Sequence, residues 1–266
     1  QQQFPNDPIV AEEDAGQLRQ PTHQRYLDQV TQFVQQTIST ATPQQVCEWV
    51  DAGNGRVSDR YWTLDPIDGT KGFLRREQYA VALALVEHGQ VRVAALACPM
   101  LPARLDIPDP TPGTVFVAVR GNVAEMAPLG SNKFEPISVT ANRSNLRFVE
   151  SVEPAHSNLT LQARIAQEIG ITQPPLQMDS QVKYGVVARG DAALYLRLPV
   201  LASYVEKIWD HAAGSLIVEE AGGRVTDMYG RPLDFGQDHK LRRNQGIIVS
   251  RGDPLHTQVL TTISKI

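Results

Sequence analysis

Tyr61-Trp62-Thr63-Leu64-Asp65-Pro66-Ile67-Asp68-Gly69-Thr70 joins an apolar run to two carboxylates and a Gly-Thr turn. Tyr61 to Leu64 has the composition of a buried strand. Pro66 fixes its own φ and biases Asp65 away from helix, so Asp65 is expected at a strand end where the chain turns. Both carboxylates can then face one point together with the Ile67 carbonyl, and hard oxygen donors gathered this way suit Mg2+. Gly69 lets the backbone approach a ligand, and the Thr70 hydroxyl can hold a water or a phosphate oxygen. Asp-Pro and Asp-Gly are also common turn dipeptides. Asp65 to Thr70 alone therefore read either as a solvated turn or as a metal-assisted phosphate site.

A second acidic constellation lies far down the chain. Glu206-Lys207-Ile208-Trp209-Asp210-His211 leads into apolar residues at 212, 213, 216, 217 and 221, which is helical spacing, and Gly222-Gly223 ends the run. Asp210 is placed to cap that helix, and an Asp at a helix start can equally project into a cleft as a metal ligand. By composition alone, Val10-Ala11-Glu12-Glu13-Asp14 reads as a solvated surface stretch.

Between these points the first half mixes helices and hairpins. Pro21 to Ile38 is expected as an amphipathic helix with Tyr26, Val30, Phe33, Val34 and Ile38 on one side. Thr42-Pro43-Gln44-Gln45 has the form of a capping box and opens a short helix that Gly53 ends. Tyr79–Glu87 and Val91–Cys98 are expected strands of a hairpin turning at His88-Gly89-Gln90, and Thr114–Val119 with Val123–Met126 makes another. Pro99 to Gly113 is Pro-rich and reads as a loop. From about Val139 strands and helices alternate: strands at Arg147–Glu150, Ala193–Leu198 and Gly246–Ser250, helices at Leu159–Ile169, Asp210–Ala221 and Pro254–Ile263. Such alternation predicts an α/β half with a largely parallel sheet. The expected division is 1–138, an α+β half with an antiparallel sheet, and 139–266, an α/β half, with the site in the cleft between them.

Composition narrows the class. A chain of 266 residues, 42% hydrophobic and 20% charged, is of ordinary globular make-up and can bury a substantial core. Its formal charge of −4 argues against a nucleic-acid polymer as partner. No apolar run reaches transmembrane length, so no membrane partner is expected. Cys47 and Cys98 form neither a metal pair nor a disulfide framework, which fits a reducing, cytoplasmic setting. A monomer is expected.

An early Glu-Glu pair, then Asp65-Pro66-Ile67-Asp68-Gly69-Thr70, then Trp209-Asp210-His211-Ala212-Ala213-Gly214 occur in that order. Together they resemble the lithium-sensitive, Mg2+-dependent phosphatases of the inositol monophosphatase superfamily. Lys71-Gly72-Phe73, Ser151-Val152-Glu153, Asp179-Ser180-Gln181 with Lys183-Tyr184, and Tyr195-Leu196-Arg197-Leu198-Pro199 are similar to its 3′(2′),5′-bisphosphate nucleotidase branch. The resemblance runs from about Phe4 to the last helix. It implies an α-β-α-β-α sandwich of the inositol monophosphatase and fructose-1,6-bisphosphatase type.

The resemblance also implies roles. Glu12, Asp65 and the Ile67 carbonyl would hold one Mg2+, and Asp65, Asp68 and Asp210 a second, with two or three ions in all. Asp65, Asp68 and Thr70 would be catalytic; Gly69, Thr70, His156, Ser180, Lys183 and Arg197 would bind substrate. The implied reaction is hydrolysis of the 3′-phosphate of adenosine 3′,5′-bisphosphate, with 3′-phosphoadenosine 5′-phosphosulfate as a second substrate. Family members carry about two helices before the Glu pair, with a T-x-A-D segment whose Asp works with the Thr of the central motif. This chain opens on Gln1-Gln2-Gln3 with no initiator Met, so an N-terminally shortened chain of weak or no activity is expected. The alternatives are an inositol phosphate or polyphosphate 1-phosphatase and an inactive nucleotide-binding pseudoenzyme.

Overall fold

Strand β2 (Arg60–Asp68) is the spine of the first half, with Tyr61, Thr63 and Asp65 turned inward at the two-residue period of a strand. On one side it pairs in parallel with β1 (Ile9–Ala11), and on the other antiparallel with β3 (Ala80–Glu87). The chain then meanders through β4 (Gln90–Cys98), β5 (Thr114–Val119), β6 (Glu125–Pro128) and β7 (Glu135–Pro136). Seven strands thus lie side by side in chain order. The β3–β4 hairpin turns at His88 and Gly89, with φ of 51° and 73°. A two-residue type I′ turn requires positive φ at both positions. These features belong to a computed structural model that describes residues 3–106, 113–141, 144, 146–153, 158–199, 201 and 203–265.

The Pro21–Ile38 segment is a 3-10 turn, Pro21–His23, followed by α1 (Gln24–Gln35). Its inward stripe is Leu27, Val30, Thr31 and Val34, packed with Ala15, Ala41, Val46 and Cys47; Tyr26, Phe33 and Ile38 stay exposed. Thr31 can occupy that stripe because its hydroxyl donates to the Leu27 carbonyl at 2.8 Å. Helix α2 (Pro43–Asp51) opens with the expected capping box, Gln45 N–H donating to Thr42 Oγ1 and Thr42 N–H to Gln45 Oε1. The α1–α2 pair sits beside the β1 edge, tied there by Ala15 N–H to Asp51 and Ala11 N–H to the Gly53 carbonyl.

In the second half, β10 (Leu194–Arg197) and β11 (Arg224–Thr226) are joined through α6 (Ala212–Glu220). Strand β12 (Ile247–Ser250) is inserted between them and runs against both. This three-stranded sheet is antiparallel, which corrects the largely parallel sheet expected from alternation. The strands linked through the helix do share a direction; the late strand between them reverses every pairing. Among the described residues of this half, parallel pairing is confined to β8 (Val149–Glu150) with β9 (Leu176–Gln177) and a Phe148–Leu194 bridge.

Helices α5 (Val182–Ala188) and α6 lie between the two sheets, α6 touching β3, β4 and β5 on one side and β11 and β12 on the other. Every residue of α5, and of α6 from Ala212 to Val218, is buried. Small side chains permit this: a Cβ on Gly214 would stand 2.3 Å from Tyr184 Cγ. Helices α4 (Leu159–Glu168) and α7 (Leu255–Ile263) contact each other, and α7 lies on β12. The result is the alternating helix–sheet sandwich expected. One hydrophobic core, including Tyr61, Phe116, Tyr184, Leu216 and Val249, runs through both halves. Among the described residues no helix is long and apolar enough to cross a membrane.

Candidate active site

Strand β2 does not end at Asp65; it continues to Asp68 through a bulge. Asp65 pairs with Ala82 and Asp68 with Ala80, so β2 spends one residue more than β3 over this stretch. In a regular strand, residues three apart face opposite sides. The extra residue returns both carboxylates to one side, and Pro66, which has no N–H to give a ladder, sits where the ladder is already broken. The Ile67 N–H donates to Asp65 Oδ1 at 3.1 Å. Gly69 then turns the chain with φ 88° into the six-residue helix α3 (Thr70–Arg75).

Asp210 meets these residues from the other half. It is not a cap: α6 starts at Ala212, His211 holds the cap position, and no side chain caps it. Carboxylate oxygens of Asp65, Asp68 and Asp210 lie within 4.8 Å of one another. Glu12 follows directly on β1, its N–H donating to the Leu64 carbonyl at 3.3 Å, and its carboxyl is close enough to that of Asp65 for each to affect the other's proton affinity. Although exposed to solvent, it faces the site rather than only the surrounding water.

Four acids crowded in a partly dry place cannot all stay charged. Burial, then the charges of Asp68, Glu12 and Asp210, pushes Asp65 up to about 10. Burial, then Asp68, pushes Asp210 up to about 8, and burial raises Glu12 as well. Such a cluster suits a cation that displaces the protons.

One cavity of about 270 Å³ gathers most of the residues expected from the sequence: Glu12, Asp65, Asp68, Gly69, Thr70, Ser180, Lys183, Arg197 and Asp210 line it. Ile67 does not line it; its carbonyl accepts a long bond of 3.4 Å from Thr70 Oγ1. His156 lies outside the described residues. Lys183 is buried, donates to the Met178 carbonyl at 3.2 Å and stands 5.2 Å from the centre of the Tyr195 ring. Arg197 sets its Nε 2.9 Å from the Glu206 carboxylate and Nη2 3.2 Å from the Tyr204 hydroxyl. A larger groove of about 1140 Å³ contains Arg231, Arg242 and Arg243, but each of these is paired with an Asp. It lacks the convergent acids.

Several site residues carry no expected role from the sequence. Glu153, Asp179, Gln181, Tyr184 and Tyr195 also line the cavity. Behind it, Glu206 receives Arg197 and, at 3.2 Å, His211 Nε2. Since a carboxylate only accepts, Nε2 carries the proton, and Nδ1 accepts from the Tyr184 hydroxyl at 2.7 Å. Glu206, Asp210 and His211 also bring ligand-type atoms within 4.8 Å. All these residues sit inside or beside runs already notable in the sequence, Asp179 to Tyr184 above all, but their roles are made by contacts across the fold.

The inositol monophosphatase family model matches residues 1–266. The chain is 46% identical over 264 residues to the 3′(2′),5′-bisphosphate nucleotidase of Schizosaccharomyces pombe, covering 93% of this chain and 74% of that protein. It is 43% identical to the protein of the same name from Oryza sativa, covering 91% and 72%. Among solved structures it is similar to the Thermotoga maritima IMPase, with TM-score 0.55, 25% identity and coverage of 78% and 70%. The inositol monophosphatase-II of Staphylococcus aureus shares the fold with TM-score 0.57, at 19% identity and coverage of 97% and 76%. With the acidic cluster, the layered sandwich and a family match along the whole sequence in agreement, the chain belongs to the inositol monophosphatase family.

Proposed function

We propose that this chain is a Mg2+-dependent phosphatase that hydrolyses the 3′-phosphate of adenosine 3′,5′-bisphosphate to AMP and phosphate, with 3′-phosphoadenosine 5′-phosphosulfate as a second substrate. The observation that carries it is one cavity with two kinds of lining: Asp65, Asp68 and Asp210 bring carboxylate oxygens within 4.8 Å of one another, and Lys183 and Arg197 line the same cavity. Acids alone would support only a metal site; a bisphosphate needs cations beyond the metals. The names of the two relatives supply the nucleotide.

In this reading Glu12, Asp65 and the Ile67 carbonyl would hold one ion and Asp65, Asp68 and Asp210 a second, with two or three ions in all. When bound, the ions supply Lewis acidity to the phosphate and lower the pKa of the attacking water. Gly69 and Thr70 orient the oxygens of the scissile phosphate, Gly69 by letting the backbone come close and Thr70 by its hydroxyl. Ser180, Lys183 and Arg197, with His156, hold the nucleotide and its second phosphate. Water oxygen bonds to phosphorus, the bond from phosphorus to O3′ breaks, and O3′ leaves with a proton. The ligand carboxylates come from 1–138 except Asp210, and the second-phosphate contacts come from 139–266. Buried, unpaired Cys47 and Cys98 support a reducing compartment such as the cytoplasm.

The test is phosphate release from adenosine 3′,5′-bisphosphate with Mg2+, with inositol 1-phosphate in parallel. Release from the nucleotide, lost in Asp65→Asn, is expected. Release from inositol 1-phosphate alone would overturn the nucleotide assignment, and release from neither would overturn the activity of this chain.

A further inference from the structure

Gln181 joins the two halves of the acidic cluster. Its backbone N–H donates to Asp68 Oδ2 at 2.6 Å, its side-chain Nε2 donates to the Trp209 carbonyl at 2.8 Å, and its Oε1 accepts from the Gly214 N–H at 3.1 Å. Asp68 ends β2 of the first half. Trp209 immediately precedes Asp210, and Gly214 is in the first turn of α6. One buried residue therefore binds the tip of one metal-facing carboxylate and both flanks of another. The side-chain amide has no polar atom left over.

Two further features bear on this position. The first turn of a helix leaves N–H groups without partners, and α6 has no side-chain cap of its own. Gln181 supplies an acceptor to that turn from α5's side. Asp210, the residue the sequence places for capping, is thereby left with its carboxylate in the cavity. Next to Gln181, Ser180 holds φ at 63°, a left-handed conformation costly for a residue other than glycine. That turn lays Ser180 on Gly69, where a Cβ would stand 2.9 Å from Ser180 Cβ, and aims the Gln181 N–H at Asp68. Strain next to a carboxylate contact is expected where geometry serves a site rather than the fold.

We propose that Gln181 is a positioning residue that sets the spacing and orientation of Asp68 and Asp210, and with them the affinity of the site for a divalent cation. The proposal rests on the reading of these acids as metal ligands. Gln181 touches neither ion nor substrate in it; it acts through the two carboxylates. Outer-shell partners of this kind change metal affinity by roughly 10-fold to 100-fold.

The test is calorimetric titration of the full chain with Mg2+, without substrate, for the parent and for Gln181→Met, which keeps length and loses both side-chain hydrogen bonds. The variant is expected to bind Mg2+ at least roughly 10-fold more weakly. At saturating Mg2+ its KM for the bisphosphate should stay near the parent's, since Lys183 and Arg197 are untouched. A folded variant with the parent's Mg2+ affinity overturns the proposal. Should the variant not fold, amide exchange on the parent decides: Mg2+ should slow exchange at the Gln181 and Gly214 N–H groups, and unchanged exchange at both overturns it. A parent that takes up no Mg2+ sinks the metal reading and this proposal together, whereas equal uptake by parent and variant sinks this proposal alone.

Discussion

Lys71 and Glu153 meet at the edge of the cavity, Nζ lying 2.9 Å from Oε2, one residue from each half of the chain. Arg75 adds a second cation to Glu153 at 2.6 Å and also grips Asp179. The Lys71 side chain is 63% exposed, so the pair contributes little to stability. Its effect is on the field at the entrance, where Glu153 neutralises cations that an anionic substrate would otherwise meet. Glu153→Gln should leave the melting temperature unchanged and lower KM for the bisphosphate several-fold at low ionic strength. The gain should fade in high salt as screening takes over. A KM that rises, or one that falls equally at every salt concentration, would count against this account.

Asp65 opposes stability to function. Its folded-state value of about 10 lies above the ordinary 3.8 because of burial first and neighbouring acids second. A raised carboxyl stabilises the metal-free fold fully at low pH, and that contribution is lost as pH rises from about 4 towards about 10. Asp65→Asn keeps a group of the same shape that stays neutral beside Asp68, Glu12 and Asp210. At pH 8 without metal it should melt higher than the parent, by an amount on the order of a few kcal/mol, while losing phosphatase activity. Mg2+ should narrow the gap by stabilising the parent alone. A metal-free variant no more stable than its parent at pH 8 would show that the acids do not repel one another as described.

Asp65, Asp68 and Asp210 were legible in the sequence because their chemistry lies in residue type and order. The bulge that turns the first two to one side was not, since Pro66 after Asp65 reads as the end of a strand, whereas β2 runs on to Asp68 with one residue extra. Gln181 gave no local signal of its role. Its partners at 68, 209 and 214 come together only once α5, α6 and β2 are stacked. The second sheet shows a similar limit: alternation fixes the direction of β10 relative to β11, but nothing local says that β12 enters between them. On α1 the true stripe was hidden because Thr31 counts as polar until its bond back to Leu27 is seen.

Lys183 should make substrate affinity depend on pH. Burial, opposed by the nearby charge of Asp68, brings its ammonium down from the usual 10.5 to about 8. Below pH 8 it is a cation, which in the proposed function faces the second phosphate; above, it is a neutral amine. KM for the bisphosphate should therefore climb by roughly 10-fold per unit at most as pH passes 8. KM for adenosine 3′-phosphate, which lacks the second phosphate, should stay flat over the same range. Parallel profiles for the two substrates would remove Lys183 from the second-phosphate contact.

His256 ties stability to the acid side. It lies in the first turn of α7, fully buried against β12 and β11, with Nδ1 2.9 Å from Ser250 Oγ and Nε2 2.9 Å from Thr226 Oγ1. Burial, helped by the charge of Arg224, pushes it down to about 4, against an ordinary 6.5. A depressed imidazole favours the neutral folded form, so its contribution is whole above pH 6.5 and is lost as pH falls towards 4. After a discount for solvent screening of Arg224 the loss is on the order of 2 kcal/mol. Urea midpoints of the parent should fall over that window, and those of His256→Gln, which cannot gain a proton there, should fall less. Equal slopes for both proteins would assign the acid sensitivity to the carboxylates instead, because they alone would then be taking up protons on unfolding.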